Sequence, residues 1–484
     1  MIPYTLIQGL YPEILLAGMA MFLLMYGAFF QSTMTQRGIA LLGCSSLFTI
    51  FLMYAVQLKL NIPAQNLYGM VRIDSFATFA KIIIVLSAFG ATILSLDWLK
   101  DHAEIAKEYV VLVLFATLGL VLLVASENLL SFYVALELAS LAMYVMAAYE
   151  RDNGVSSEAG LKYFVLGSLA SGMMLFGVSL IYGFAGTIQF ETLSTVLAST
   201  ANVNIGAVTG IVLVLVGIFF KISAVPFHMW TPDVYEGAPT PVVAFFATAP
   251  KVAVLCFAVR FLSEVCGDIA SYWQQIIVCA SVASMVLGAL AGLVQTNIKR
   301  LLAYSSIGHV GYILMAIAAH SYEAVYAMLV YLAFYCTISL GVFACILMLR
   351  SSGTPVTHIH QLAGLSTASP RIALALAVFM FSMAGIPPFL GFFGKFFVFK
   401  SVVQVESLIW LAVVGVLSSV VSCVYYIRIV KIMYFDESAS PLDVLPRHPY
   451  LGYIIFACVV ANFVVFDFSL IFKPAFLAAG VLFP

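Results

Sequence analysis

The chain has 484 residues, of which 63% are hydrophobic and only 9% are charged, and its formal net charge is −1. This composition is typical of an integral membrane protein and excludes a soluble globular domain. The balanced charge gives no indication of nucleic-acid binding. Because the sequence contains neither a P-loop nor a glycine-rich dinucleotide fingerprint after a strand, it predicts no nucleotide site in this chain.

The apolar runs predict an all-α integral membrane protein. The first run, from about Glu13 to Phe30, lacks the basic region and the cleavage site of a signal peptide, so we expect it to remain as a helix. At about 20 residues per span, the chain has room for roughly 14 transmembrane helices. These begin near Glu13, Gly38, Ile73, Tyr109, Asn128, Ala159, Ile205, Ala238, Tyr272, Ile298, Tyr322, Pro370, Val405 and Tyr450.

The eight cysteines predict neither a disulfide framework nor a metal centre. They lie in or beside apolar runs, and none forms the C-x-x-C pair that many zinc and iron–sulfur sites use. We therefore expect them to be small packing residues inside the protein.

The loops indicate the orientation, because lysine and arginine accumulate in cytoplasmic loops. With the N-terminus outside, the cytoplasmic loops contain Arg37, Lys100, Lys107, Arg151, Lys299, Arg300, Arg350, Arg371, Arg428, Lys431 and Arg447. The outer loops contain fewer basic residues, namely Lys59, Arg72, Arg260, Lys400 and Lys473. This bias predicts an even number of helices with both termini on the periplasmic side.

Two interrupted helices lie at corresponding places in the two halves of the chain. Prolines break the seventh predicted helix within residues 224–227 and the twelfth within residues 385–389. A weak repeat accompanies them, since similar helices begin at Asn128 and Asn297. Paired breaks in corresponding halves point to a transporter site.

The repeat leads to a domain prediction. We expect two five-helix repeats, residues 109–264 and 265–435, flanked by helices in residues 1–108 and by a last helix in residues 436–484. An odd number of spans per repeat forces opposite topology, so the two repeats are expected to be inverted. The seventh and twelfth helices are expected to be discontinuous.

A set of ionisable side chains lies inside the predicted membrane helices. It comprises Lys81, Glu137, Lys162, Lys221, Lys251 and Lys395. Each charge at the centre of a membrane helix costs about 2.5–3.5 kcal/mol on insertion scales, so such residues usually pair with one another or mark an ion pathway. A glutamate–lysine pair whose separation changes is a switchable proton site, because each charge stabilises the other.

Position in the sequence suggests partners for these charges. Glu137, in the middle of the fifth helix, is expected to pair with Lys221. Lys251 lies deep in the eighth helix, and Lys395 follows the second helix break. The alternative for each is structural: an ion pair that locks two helices, or a lysine whose amine extends to the membrane surface.

Two lysines are weaker candidates for an ion pathway. Lys81 is expected to pack against its neighbours or to pair with Asp74. Lys162 lies near a helix start, from which its amine could extend to the membrane surface.

Polar residues near the helix breaks could extend a proton path. His228 follows the first break and His309 lies in the tenth helix, so both are candidate relays, although a histidine in a membrane core can be structural. Asp233 and Glu236 also follow the first break. We expect these two carboxylates to lie in a solvated turn before the next helix.

The run from Phe220 to Val242 resembles the signature of the antiporter-like membrane subunits of respiratory complex I. Its core reads Trp230-Thr231-Pro232-Asp233-Val234-Tyr235-Glu236-Gly237-Ala238-Pro239. The segments Asn297–Ser306 and Gly385–Pro388 fit the same family, although cation/proton antiporter subunits share both of them. The resemblance covers the whole chain.

Two features separate this chain from other members of the family. Position 395 is lysine, whereas subunit M typically has glutamate there. The chain ends at Pro484, soon after the last predicted helix, whereas subunit L typically continues into a long helix along the membrane.

The resemblance implies a role for each matching residue. Glu137 matches the family's fifth-helix glutamate, and Lys221 matches the seventh-helix lysine with which it pairs. Lys251 matches the central lysine of the eighth helix, and Lys395 matches the functional residue of the twelfth. His228 matches a family histidine. Lys162 and His309 complete the expected proton path.

The resemblance also implies that the redox chemistry takes place in other subunits. NADH, FMN, iron–sulfur clusters and quinone would belong to partner subunits, and this chain would carry no cofactor and no metal. The expected partners are subunit M, the small membrane subunits and the lipid bilayer of the bacterial inner membrane, with no nucleic acid. Two alternatives remain open: a subunit of a multi-subunit sodium/proton antiporter, and a passive membrane scaffold.

Overall fold

The structure is a computed structural model that describes residues 9–30, 33–60, 65–101, 106–199, 204–437, 442–444, 449–463 and 469–483. Helices dominate it, and we number them in chain order. They are α1 Tyr11–Phe29, α2 Thr33–Leu60, α3 Ser75–Asp101, α4 Ala106–Val124, α5 Leu129–Ala147, α6 Gly154–Ala185, α7 Phe190–Ser199, α8 Ile205–Ile222, α9 Trp230–Gly237, α10 Thr240–Ala247, α11 Ala249–Arg260, α12 Ala270–Leu293, α13 Ile298–Ala319, α14 Tyr322–Met348, α15 Leu365–Ala368, α16 Pro370–Ala384, α17 Leu390–Val403, α18 Ile409–Phe435, α19 Pro449–Phe463 and α20 Ser469–Ala479. The strands are β1 Gln65–Leu67, β2 Val71–Ile73, β3 Leu349–Ser351, β4 Thr354–Pro355 and β5 Leu442–Val444.

The helices confirm the expectation of an all-α membrane protein. Within the described ranges, 11 helical spans are long and apolar enough to cross a membrane, and three shorter apolar helices accompany them. The total of 14 spans and the inverted repeats stay predictions. One departure is α7, which has 10 residues and lies between the helices predicted to begin near Ala159 and Ile205. It is too short to span a bilayer.

The orientation prediction rests partly on residues that the structure does not describe. Arg447 lies outside the described residues, and so do the side chains of Arg37 and Lys107. The cysteines in the described ranges form no disulfide, and all except Cys279 and Cys423 are buried as expected.

The chain divides into two compact units. The first comprises residues 1–222, 249–276 and 473–484, and the second comprises residues 223–248 and 277–472. In the first unit, Asn128 joins two loops at one end of the helices. Its Oδ1 accepts from the amide of Ser131 at 2.7 Å and so caps α5, while its Nδ2 donates to the carbonyl of Gly69 at 2.7 Å. Gly69 lies in the turn between β1 and β2, where its φ of 68° favours glycine.

Small residues let helices approach closely in both units. A Cβ on Gly177 of α6 would lie 2.6 Å from the carbonyl oxygen of Gly210 on α8. A Cβ on Gly288 of α12 would lie 2.6 Å from the amide nitrogen of Gly308 on α13. In a membrane, where apolar burial drives little helix association, such close packing is a main source of stability.

In the second unit, another asparagine caps the start of α13. Asn297 accepts from the amides of Lys299 and Arg300 at 2.9 and 3.3 Å. Beside it, the amide of Ile298 donates to the carbonyl of Thr357 at 2.9 Å. This contact attaches the start of α13 to the loop that follows β4. That strand belongs to a small antiparallel sheet with the order β4, β3 and β5.

Candidate site of buried ionisable residues

The helix break predicted at Pro226 is present. α8 ends at Ile222, α9 begins at Trp230, and the Val225–Pro226 peptide bond is cis. The amide of Val225 donates to the Oγ of Ser284 on α12 at 2.9 Å. Backbone groups freed inside a membrane need such protein partners, so this hydrogen bond stabilises the break.

Lys221 is buried one residue before the end of α8. Its side chain donates from Nζ to the Oγ of Ser140 at 2.6 Å and to the hydroxyl of Tyr144 at 3.0 Å, both on α5. Glu137, on the same helix, accepts a hydrogen bond from Ser171 of α6 at 2.6 Å. The structure thus brings three helices of the first unit together around polar side chains.

The described residues show no direct ion pair between Glu137 and Lys221, so the predicted pairing is present only as an electrostatic interaction at longer range. Ser140 and Tyr144 follow Glu137 by three and seven positions and share its helical face. Their hydroxyls accept from the lysine and separate it from the carboxylate. The two charges still interact electrostatically across these hydroxyl groups.

Lys251 is the third residue of α11, and all residues of this helix are buried. Its side chain is inside the protein as expected, with 2% of the residue exposed. His228 lies in the segment between α8 and α9 and is half-buried. Its Nδ1 has no hydrogen-bond partner among the described residues. A shared path through Lys251 and His228 remains a prediction.

The second predicted break is also present. α16 ends at Ala384 and α17 begins at Leu390, with a cis peptide bond between Pro387 and Pro388. Lys395 of α17 is buried beside this break.

The ammonium group of Lys395 is held by oxygen atoms without formal charge. Its Nζ donates to the carbonyls of Met383 and Ala384 at 3.0 Å each and to the Oγ of Ser419 at 2.9 Å. It also lies 5.1 Å from the ring centroid of Tyr312. The two carbonyls belong to the last turn of α16, where the helix dipole is negative. The broken helix therefore supplies the partial charge that stabilises the ammonium.

Gly391 keeps the two halves of this broken helix close together. A Cβ at Gly391 would lie 1.8 Å from the carbonyl oxygen of Ser382. We expect Gly391→Ala to force α17 away from α16 and to lower stability by about 1–3 kcal/mol, as overpacking usually does. Thermal unfolding of the purified protein measures this change. The control is Gly183→Ala in α6, where a Cβ meets nothing within 4 Å. Equal melting temperatures for the two variants would contradict the prediction.

His309 belongs to a buried polar network in the second unit. Its Nδ1 shares a hydrogen bond of 2.6 Å with the hydroxyl of Tyr331, and its Nε2 lies 3.3 Å from the hydroxyl of Tyr426. A cavity of about 10 Å³ lies against His309 and Met383. This volume suits one water molecule. Met383 also accepts a hydrogen bond from Lys395, so this cavity touches residues of both the His309 network and the Lys395 site.

Asp233 and Glu236 do not lie in a solvated turn, so that expectation was wrong. Both belong to α9 and accept hydrogen bonds from Arg300 at 2.7 and 2.8 Å. Asn297 also donates to Glu236 at 3.0 Å. The start of α13 places the guanidinium of Arg300 beside α9, and the two carboxylates balance its positive charge. Two sequence motifs that are far apart in the chain thus form one ion network.

Two lysines lie in surroundings that differ from the predicted ones. Lys81 pairs with Glu13 of α1 at 2.6 Å and not with Asp74. Asp74 precedes α3, where Arg260 reaches it at 2.7 Å instead. Lys162 pairs with Glu158 at 2.8 Å, and its side chain is 41% exposed. The side chain of Lys162 therefore extends to the protein surface. This agrees with the alternative to a place in the ion pathway that the sequence allowed for this lysine.

An additional charged cluster was missed by the sequence analysis. It consists of Arg72, Asp74, Glu127, Arg260 and Glu264 in the first unit, joined by ion pairs. The orientation analysis counted Arg260 as a loop residue, but its side chain is completely buried at the end of α11. In the sequence, Arg260 directly follows a long apolar run, and this position could have indicated that its side chain is buried.

The hydroxyl partners were also missed. Ser140, Tyr144 and Ser171 surround Glu137 and Lys221, and Ser419 contacts Lys395. The spacing of Ser140 and Tyr144 after Glu137 could have indicated the first two, because all three lie on one face of α5.

The fold and these contacts define a class of protein. Both broken helices are associated with a buried lysine whose partners in the described ranges are hydroxyl or carbonyl oxygens. Discontinuous membrane helices with ionisable side chains at their breaks are typical of ion-translocating proteins.

Comparison with known proteins identifies the family. The family described as NADH:quinone oxidoreductase/Mrp antiporter, TM, matches residues 126–422. A protein of Rhodospirillum rubrum named NADH-quinone oxidoreductase subunit N is 51% identical over 434 residues, which are 90% of this chain and 89% of that protein. A protein of the same name from Paramagnetospirillum magneticum is 46% identical and covers 98% of this chain and 97% of its own. The chain therefore belongs to the NADH:quinone oxidoreductase/Mrp antiporter family.

Solved structures agree with this assignment. A chain of respiratory complex I from Thermus thermophilus with bound aureothin has a TM-score of 0.79 at 28% identity, covering 97% of this chain and 98% of that one. A chain of the Mrp complex from Dietzia sp. has a TM-score of 0.86 at 20% identity, covering 99% and 98%. The second likeness shows a common fold alone.

Proposed function

We propose that this chain is a proton-translocating membrane subunit of a bacterial NADH–quinone oxidoreductase, of the type named subunit N in its relatives. The observation that carries the proposal is the setting of Lys221 and Lys395. Both are buried beside helix breaks and are held by hydroxyl or carbonyl oxygens in the described ranges. The ammonium of Lys395, which is held by uncharged oxygen atoms, can release its proton without leaving a hydrogen-bonded carboxylate unpaired.

The proposed path runs through both repeats. Protons are taken up from the cytoplasm past Lys162, which lies about two turns after the start of α6, and then past Glu137 and Lys221. They continue past Lys251 with His228. In the second repeat, the network of His309 and its tyrosines leads toward Lys395, from which protons leave.

The proposal retains the domain division and the orientation expected from the sequence. Residues 109–264 and 265–435 form the two inverted repeats, with residues 1–108 and 436–484 as flanking segments. Both termini lie on the periplasmic side of the bacterial inner membrane. The preference for Lys and Arg in cytoplasmic loops supports this direction.

The energy for transport comes from partner subunits in this proposal. Moving one charge against the membrane potential requires about 2.3 kcal/mol per 100 mV. NADH, FMN, iron–sulfur clusters and quinone act in other subunits, and this chain contacts subunit M and the small membrane subunits in the bilayer. Coupling is electrostatic, since the loss of a charge at one buried site changes the proton affinity of the next.

The two competing functions make different predictions. A sodium/proton antiporter subunit would transport sodium without NADH oxidation. It is not favoured, because relatives at 46–51% identity over most of the chain carry the name of an oxidoreductase subunit. A passive scaffold would keep pumping when its buried lysines are replaced.

Replacing Lys251 by alanine tests the proposal. Inverted membrane vesicles that contain the assembled complex allow NADH-driven quinone reduction and the resulting pH gradient to be recorded together. We expect both rates to fall about 100-fold, the lower range for removing a positioned proton-transfer group. The matched control is Lys400→Ala, because Lys400 is an exposed lysine.

The assembled amount of complex must be measured for both variants. Loss of both activities in an assembled Lys251→Ala complex supports a proton path that is tightly coupled to electron transfer. Unchanged rates in the assembled variant would refute the proposal and favour the passive scaffold.

A further inference from the structure

The charged cluster of the first unit is built around two arginines. Arg260 is completely buried and donates from Nη2 to both carboxylate oxygens of Asp74 at 2.8 and 2.7 Å. Arg72 of β2 lies 3.2 Å from Asp74 through its Nε and donates from Nη1 to both oxygens of Glu264 at 3.2 and 3.1 Å. Glu264 belongs to a π-helical turn, Phe261–Val265, that directly follows α11. Such turns are frequent at functional sites.

Glu127 differs from the other carboxylates of this cluster. Its Oε1 lies 3.8 Å from the Nη1 of Arg72, too far for a hydrogen bond, and its side chain is only 9% exposed. Its Oε2 is buried and has no hydrogen-bond partner among the described residues. The backbone of Glu127 is nevertheless fixed, since its amide donates to Met70 at 3.1 Å and its carbonyl accepts from Phe190 at 3.2 Å. The carboxylate is held in place with one oxygen free to take a proton.

A cavity connects Glu127 with the surface. It has a volume of about 510 Å³, and its lining includes Glu127, Arg72 and Glu264 as well as Asn66 and Glu191. The last two residues are exposed. The cavity is therefore wide enough for water to reach the buried carboxylate.

The charges of the cluster leave Glu127 as the surplus anion. Asp74 and Glu264 each receive two hydrogen bonds from an arginine, so two carboxylates are matched by two guanidinium groups. A proton on Glu127 makes the cluster neutral.

The surroundings of Glu127 also favour its protonated form. Glu127 lies between α4 and α5, outside the membrane-spanning segments. Burial raises the pKa of its carboxyl group above the ordinary value. Arg72 and Arg260 lower the pKa, and Glu264 and Asp74 raise it. The net direction is upward, so Glu127 binds a proton at higher pH than an exposed glutamate does.

We infer that Glu127 is a proton-exchange site, at which the carboxylate takes a proton to form a carboxylic acid and its carboxyl group returns the proton to water in the cavity. The inference rests on the proposed function in one respect: the site serves the proton path through Lys251. That residue and Arg260 are nine positions apart on α11, or about 13.5 Å along the helix. At this distance inside the buried helix, the charge of Lys251 can act on the cluster electrostatically.

Infrared difference spectroscopy of the assembled complex tests the site directly. A pH titration of the unsubstituted complex should reveal the carbonyl band of a protonated carboxyl group that titrates at higher pH than an exposed glutamate does. Glu127→Gln should remove this band and slow proton pumping about 100-fold. Glu191→Gln, at the exposed rim of the same cavity, should keep both. A Glu127→Gln complex that retains the band and pumps at the normal rate would overturn the inference.

A second variant covers the case in which Glu127→Gln does not assemble. Glu127→Asp keeps the carboxyl group and should move the band to the position of an aspartic acid, whereas an unmoved band overturns the inference. The proposed function is tested independently of this site. Normal pumping by Lys251→Ala would refute the proposed proton path. A shifted band in Glu127→Asp would still support proton binding at Glu127.

Discussion

Replacing Lys395 by methionine is expected to abolish proton pumping while the complex still assembles. Methionine is of similar length and is apolar, so it fits among the buried side chains of α17. It removes the group that exchanges a proton beside the second helix break. Loss of a positioned acid–base group typically lowers a rate by about 10²–10⁴-fold. NADH-driven acidification of inverted vesicles measures the loss.

Lys395→Arg separates the charge of this residue from its proton chemistry. Arginine keeps the positive charge and can donate to the carbonyls of Met383 and Ala384, but it does not release its proton in proteins. We therefore expect Lys395→Arg to assemble and to be as inactive as Lys395→Met.

The control for both substitutions lies on the same helix. Lys400 follows Lys395 on α17 but is exposed, so Lys400→Met is expected to pump normally. Normal pumping by Lys395→Arg would mean that the site needs a fixed positive charge and not proton exchange, and it would remove Lys395 from the path.

The largest loss of stability is expected from Asp74→Leu. This substitution removes the carboxylate that holds the completely buried guanidinium of Arg260. Breaking a buried ion pair on one side leaves an uncompensated charge and typically destabilises a protein by about 3–5 kcal/mol. The amount of assembled complex and its thermal unfolding both measure this effect.

A double substitution tests the physical reason. Asp74→Leu with Arg260→Met removes both charges and should restore most of the stability that Asp74→Leu loses, apart from the contacts of Asp74 with Arg72 and with the amide of Ala77. The exposed pair of Lys431 and Asp436 provides the control, since Asp436→Leu is expected to change stability by about 1 kcal/mol or less. If the double variant is as unstable as Asp74→Leu alone, the unpaired charge is not the cause.

Much of the fold could be predicted from the sequence because the membrane restricts the choices. A long apolar run must form a helix to satisfy its backbone inside a bilayer, and a proline in such a run must interrupt it. Both breaks, at Pro226 and before Leu390, occur where the sequence places them. The burial of Lys221, Lys251 and Lys395 was predictable for the same reason, since each lies in an apolar helix.

The partners of these charges could not be predicted in the same way. Lys81 was expected to pack against its neighbours or to pair with the nearby Asp74, and it instead contacts Glu13 of α1, which is distant in the sequence. The hydroxyls of Ser140 and Tyr144 occupy the place that was expected for the carboxylate of Glu137. Sequence proximity favours local pairs, whereas helix packing brings together groups from any part of the chain.

The sequence by itself determined that this protein is a bundle of membrane helices with two broken helices and buried lysines. Apolar runs, prolines and charges act locally, so their consequences can be predicted without knowing how the helices pack. Only the tertiary structure decided that the end of α16 stabilises Lys395 and that Asp74 pairs with Arg260. These contacts depend on the distance and direction between helices, which close packing of side chains determines.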